Sequence, residues 1–81
     1  MENFKERFEN LIIEKLDVDK EQIIPEARFI KDLDADSLDM AELVIEIEKE
    51  FNISVSDDAV EKIKTIADAE KYIIMMVNIK K

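Results

Sequence analysis

Apolar side chains return at helical spacing in three long stretches of the chain. The first is carried by Phe4, Phe8, Leu11, Ile12 and Leu16, with Ile13 beside the stripe and Asn3 placed to cap its start. It predicts a helix over about Phe4–Leu16. The second runs from Ser37 to about Phe51. Asp36 precedes it as an N-cap, and Asp39 falls in the first turn, where the helix dipole favours an anion. The third would bury Ile66, Ala69, Tyr72 and Ile73, with Met76 at the edge and Met75 and Val77 more exposed. Thr65 and Asp68 have the spacing of a capping box at its start, and Lys80 and Lys81 suit its C-terminal end.

Between these stretches the pattern breaks. Pro25 interrupts any continuous helix across Asp17–Ala35, which reads as one long connection. A loop of that length in a small protein needs anchors. Ile23, Ile24, Phe29, Ile30 and Leu33 are available, and Phe29, Ile30 and Leu33 would share one side of a helical turn. An ordered loop that touches the core is expected. Asn52–Ser56 contains a brief Ile53-Ser54-Val55 alternation but has no partner strand, so it reads as loop. Ser56 is placed to cap a short helix over Asp57–Ile63. The expected fold is all-α: a small up-and-down bundle of three main helices plus one short helix, with a long ordered first loop. All 81 residues read as one small domain. Glycine is absent, so left-handed turn positions fall to Asp or Asn, with Asp34 and Asn52 as candidates.

The second helix has two apolar faces. Met40, Leu43, Val44, Ile47 and Phe51 cluster on one side and form the core face. Leu38, Ala41 and Ile45 form a narrower stripe on the opposite side. Glu42 and Lys49 lie beside that stripe, Asp39 and Glu46 flank one edge, and Glu48 the other. Isolated exposed aliphatics are ordinary on any surface. Two large ones in register and rimmed by carboxylates suit a docking surface for a basic partner.

Charge sharpens this picture. The chain carries 12 Lys+Arg against 21 Asp+Glu, a net charge of −9. Residues 32–50 hold eight acids and one base, so most of the excess sits on the second helix and its approach. A solvated helix face is the plain explanation of such a run. Its cost in self-repulsion invites a functional one. The acidic balance disfavours nucleic acid and anionic membranes as partners. No apolar run approaches the roughly 20 residues of a membrane span. Met1-Glu2-Asn3-Phe4 lacks a signal-peptide layout, so a cytoplasmic protein is expected.

The absent residues narrow the chemistry. Without His or Cys, the commonest general base and the thiol nucleophile are missing, with no thiolate for zinc or iron–sulfur binding. Without Gly there is no phosphate-cradling loop. No metal site is expected. Asp32, Asp34 and Asp36 mimic the first ligands of an EF-hand loop, but Ser37 stands where Gly is required and Leu43 where a bidentate Glu is required. Diffuse divalent binding to the acidic cluster stays open.

Ser37 opens the second helix at an exposed position. A capping or turn serine is its ordinary reading. It has no His and no sequence-near Lys to act as its base, so it is not a catalytic nucleophile. As the substrate of another enzyme it is well placed, on a rigid element beside the docking stripe. The run Asp32-Leu33-Asp34-Ala35-Asp36-Ser37-Leu38-Asp39 closely resembles the attachment motif of acyl carrier proteins, in the form typical of freestanding bacterial fatty-acid-synthesis carriers. The likeness extends to the first-helix stripe, the loop with Phe29 and Ile30, Glu42-Leu43-Val44, Glu50-Phe51, and Glu61-Lys62-Ile63 through Tyr72-Ile73. It departs at Asp34, where Gly is usual, at Ser56, where Pro is common, at Ile45 for a frequent Met, and at Lys49 within the acidic run. Met75–Lys81 has no clear counterpart.

The resemblance implies a function. Ser37 would carry a 4′-phosphopantetheine arm, donated by coenzyme A through a separate magnesium-dependent synthase. The arm's thiol would carry growing fatty acyl chains as thioesters. Asp36, Leu38, Asp39, Ala41, Glu42, Ile45 and Glu48 match the family's partner-contact positions. Phe29, Leu33, Val44, Ile47, Val60, Ile63, Ala69 and Ile73 match its acyl pocket. Partners would be the carrier-protein synthase and fatty-acid-synthesis enzymes with basic docking patches. The chain would be a monomeric carrier with no catalytic residues of its own. Alternatives are a carrier of a polyketide or D-alanine/teichoic-acid pathway, and an unmodified helical interaction module.

Overall fold

The computed structural model describes residues 4–80. The cap expected from Asn3 and the charges expected from the Lys80 and Lys81 side chains lie outside what it describes. The described residues form four α-helices and one 3₁₀ turn: α1 (Phe4–Leu16), the turn at Lys20–Gln22, α2 (Ser37–Phe51), α3 (Asp57–Lys62) and α4 (Ile66–Lys80). The architecture is the expected small helical bundle. The radius of gyration is 11.7 Å, close to the roughly 12 Å of a well-packed chain of this length.

α1 and α2 pack as an antiparallel pair. Phe8 and Ile12 of α1 are fully buried against Met40, Leu43 and Ile47 of α2 and the rest of one core cluster. Leu11, Leu16 and Ile13 are only half-buried, so Ile13 contributes as much as its neighbours. At one end of the pair Arg7 spans both helices. Its Nε donates to the Glu50 carboxylate at 2.7 Å and its Nη2 donates to the Glu50 carbonyl at 2.7 Å. The guanidinium also lies 4.9 Å from the Phe51 ring centroid. A cation is well placed there, because the last carbonyls of α2 are unsatisfied within the helix. Nearer the other end Lys15 approaches Glu46 at 3.8 Å.

Local chemistry sets the helix ends. Asn52 follows α2 in the left-handed region at φ 56°, and Asp34 adopts φ 60°, as the lack of glycine requires. Asp17, at φ 56°, ends α1 in the same way, a third site that the sequence pattern did not single out. Ser56 Oγ accepts from the Ala59 N–H at 3.1 Å and starts α3. This helix stops at Lys62, with Ile63 as its extended C-cap. Thr65 and Asp68 form the expected box. Thr65 Oγ1 accepts from the Asp68 N–H at 3.1 Å, and the Asp68 carboxylate accepts from the Thr65 and Lys64 N–H groups. Asn52–Ser56 is loop, tied to α4 by the Tyr72 hydroxyl, which donates to the Ser54 carbonyl at 2.9 Å. Ile66, Ala69 and Ile73 are buried, whereas Tyr72, Met76 and Val77 are half-buried.

The long first connection is ordered by burial and by backbone bonds. Ile23, Ala27, Phe29, Leu33 and Ala35 enter the core. Ile24 and Ile30 do not: they are 50% and 60% exposed, which corrects their reading as anchors. Phe29 and Leu33 point inward while Ile30 points outward, because this segment is a series of turns and not one helical turn. The Phe29 N–H donates to the Lys64 carbonyl at 3.1 Å, the Ile66 N–H to Ala27 at 2.9 Å, and the Ala67 N–H to Pro25 at 3.0 Å. These bonds pin the loop to the start of α4. No helix among the described residues is long and apolar enough to cross a membrane.

Candidate functional site: a serine at the mouth of a groove

Ser37 is the first residue of α2 and is exposed. The residues on either side fix its position. Asp36, the N-cap, accepts from the Asp39 N–H at 2.8 Å, and the Asp39 carboxylate accepts from the Asp36 N–H at 3.2 Å. This reciprocal cap satisfies two donors that an α-helix leaves open at its start. The preceding turn is held by Asp32, whose carboxylate accepts from the Arg28 N–H at 2.8 Å and lies 3.3 Å from the Arg28 Nε. The Arg28 backbone N–H, and then its guanidinium, hold the Asp32 carboxyl below its ordinary range. Asp32 and Asp36 are thus committed to neighbours in the chain. Among the described residues no group of three or more acids gathers to hold a metal ion.

Ser37 lies at the edge of an open groove of about 690 Å³ between the first loop, α2 and α3. Its walls include Phe29, Ile30, Met40, Ala41, Val60 and Ile63. Phe29, Met40 and Ile63 also line a second, smaller cavity of about 20 Å³ among core residues. That cavity is almost wholly apolar and is completed by Leu43, Val44, Ile47, Val55, Ala69, Tyr72 and Ile73. Phe29, Met40 and Ile63 thus form the wall shared by the groove beside Ser37 and the inner cavity.

The sequence-derived pocket set is divided between these spaces. Phe29, Val44, Ile47, Ile63, Ala69 and Ile73 meet at the inner cavity. Val60 lines the outer groove. Leu33 is buried in the core cluster and lines neither space. Met40, Leu43, Val55 and Tyr72 also line the cavity. Met40 and Leu43 carried a usable signal, since both lie on the core face of α2. Tyr72 carried one too, on the buried stripe of α4, whereas Val55, in the loop after α2, reaches the cavity only through tertiary packing.

The outward face of α2 is also divided. Leu38 is 66% and Ile45 48% exposed, and Ala41 and Glu42 are exposed beside them. Asp39 and Glu48 are half-buried. The Glu48 carboxylate accepts from the Val55 N–H at 2.8 Å, so it holds the loop after α2. Ala41 lies on the groove side.

The site suits a group linked to Ser37. The hydroxyl is accessible at a capped, rigid helix start, and the adjoining groove has room for an elongated molecule with an apolar end. Residues 6–73 match the family model described as the phosphopantetheine attachment site. The chain is 53% identical over 73 residues to an acyl carrier protein of Karelsulcia muelleri, covering 90% of this chain and 88% of that one. It is 48% identical over 68 residues to an acyl carrier protein of a Picosynechococcus species, covering 84% of each. With this likeness over most of its length, the chain belongs to the phosphopantetheine-attachment family and, within it, to the acyl carrier proteins.

Proposed function

We propose that Ser37 is the attachment residue, and that the whole chain acts as one acyl-carrier domain, a monomer in the cytoplasm, serving fatty acid synthesis. The observation that carries this reading is the position of Ser37, exposed between the reciprocally bonded Asp36 and Asp39 and beside the groove. In the modification, Ser37 Oγ forms a new phosphodiester bond as the diphosphate of coenzyme A breaks. The hydroxyl proton is lost, and the nucleotide portion leaves.

When bound, 4′-phosphopantetheine supplies the thiol that a chain without Cys lacks, and with it the capacity to carry acyl groups as thioesters. The chain's own residues position and shelter. The Asp36–Asp39 cap keeps the serine at a fixed place on a rigid helix. Phe29, Met40 and Ile63 stand between groove and cavity, so an apolar tail passes inward once these side chains move apart. Sequestering each methylene contributes up to about 0.8 kcal/mol. The inner space is only about 20 Å³, so a long guest requires the small aliphatic side chains there to move apart.

Leu38, Ile45 and Glu42 form the exposed docking ridge for enzymes with basic patches. Asp36 and Asp39 add charge at its start. Glu48 adds less, because its carboxylate is bonded within the protein. The test is reaction with coenzyme A and a carrier-protein synthase, followed by trypsin. The peptide spanning 32–49 should gain one phosphopantetheine mass at Ser37. Gain at another residue, or no gain, would contradict the assignment.

A further inference from the structure

The charge of the groove opposes the charge of the chain. The net charge is −9, yet the charged residues lining the groove beside Ser37 are Arg28, Lys31 and Lys64 against Glu61 alone. Arg28 is engaged by Asp32. Among the described residues, Lys31 and Lys64 stand in no ion pair. They come from distant parts of the sequence. The bond from the Phe29 N–H to the Lys64 carbonyl holds the first loop and the α3–α4 junction side by side. The same groove is also walled by apolar Phe29, Ile30, Val60 and Ile63. The groove therefore matches an elongated molecule with an anionic group near Ser37 and a less polar remainder.

We propose that Lys31 and Lys64 attract the phosphodiester of the arm on Ser37 and keep the arm folded against this groove. The proposal rests on Ser37 being the attachment residue. A phosphodiester on Ser37 is tethered at the groove mouth. Short tethers give effective concentrations in the mM range, so even a weak site is occupied. The cations are exposed, so their hold weakens as salt screens it. A basic patch docking on α2 competes for the same phosphodiester and frees the arm.

The experiment compares three proteins: wild type, Lys31→Gln/Lys64→Gln, and the charge-preserving Lys31→Arg/Lys64→Arg. Each is prepared without and with the arm, and loading is verified by intact mass. Both lysines are exposed, and circular dichroism checks that the variants keep their helices. Methyl NMR shifts of Ile30, Val60 and Ile63 are then compared between bare and loaded forms. In wild type these differences should be clear at low salt. They should shrink at least twofold toward about 1 M salt, where the screening length is about 3 Å. The Gln pair should lose most of the difference and the Arg pair should retain it. Equal differences in all three proteins, or no response to salt, would overturn the proposal. Failure of the wild type to gain the arm at Ser37 would instead overturn the attachment assignment, so the two failures are distinct.

Discussion

Asp36 and Asp39 each hold the other's backbone N–H, at 2.8 and 3.2 Å, and Ser37 lies between them. The charge next to the serine therefore has a structural task before any partner arrives. Asp36→Ala should cost about 1 kcal/mol, lowering Tm by roughly 4–8 °C in a protein of this size. Asp36→Asn retains a capping oxygen and removes only the charge. It should keep most of the stability while weakening docking of basic partners. Thermal melts and binding measured on both variants separate the two roles.

Glu42 and Glu48 should behave differently when reversed to Lys. Glu42 is exposed, so Glu42→Lys should leave stability within about 0.5 kcal/mol. It should weaken partner binding more at low salt than at high salt. Glu48→Lys removes the acceptor of the Val55 N–H, so it should lower Tm whether or not binding changes. Denaturation curves alongside binding isotherms at two salt concentrations check this pairing.

Acid should loosen the start of α4. The Lys64 N–H, followed by the Thr65 N–H and hydroxyl, holds the Asp68 carboxyl below the ordinary carboxylate range. A carboxyl depressed on folding stabilises fully above its unfolded pKa, and that contribution fades as pH falls through the folded value. Stability should therefore decline below about pH 4. Asp68→Asn should be less stable at neutral pH and lose less on acidification. Urea denaturation across this pH range reads both effects, and parallel curves for the two proteins would contradict the prediction.

The narrow inner cavity makes its own prediction. Loading an acyl chain on the arm should raise Tm, by an amount that grows with chain length until the space is filled. Ala69 lines that cavity and is buried. Ala69→Leu should cost about 1–3 kcal/mol through overpacking and flatten the dependence on acyl length. Melts of a loaded chain-length series provide the check.

Much of this molecule can be read along its sequence. The Asp36 cap, the two faces of α2 and the Thr65–Asp68 box depend on short-range spacing, so local patterns reveal them. The left-handed turns at Asp34 and Asn52 follow from a chain without glycine. The missed features are tertiary. Ile30 resembles Phe29 and Leu33 in composition, and only the backbone bonds that pin the loop decide that it faces out. Glu48 looks like any carboxylate on a polar helix face, since its partner is a backbone N–H beyond the helix end. Lys31 and Lys64 lie in different segments, and block-by-block counting of charge hides their meeting at one groove.

The most direct test is the intact mass of wild type and Ser37→Ala after identical exposure to coenzyme A and a carrier-protein synthase. Wild type should gain one phosphopantetheine unit, and the alanine variant, with helices intact by circular dichroism, should gain none. An unmodified wild type, or an alanine variant modified to the same extent, would contradict the role assigned to Ser37.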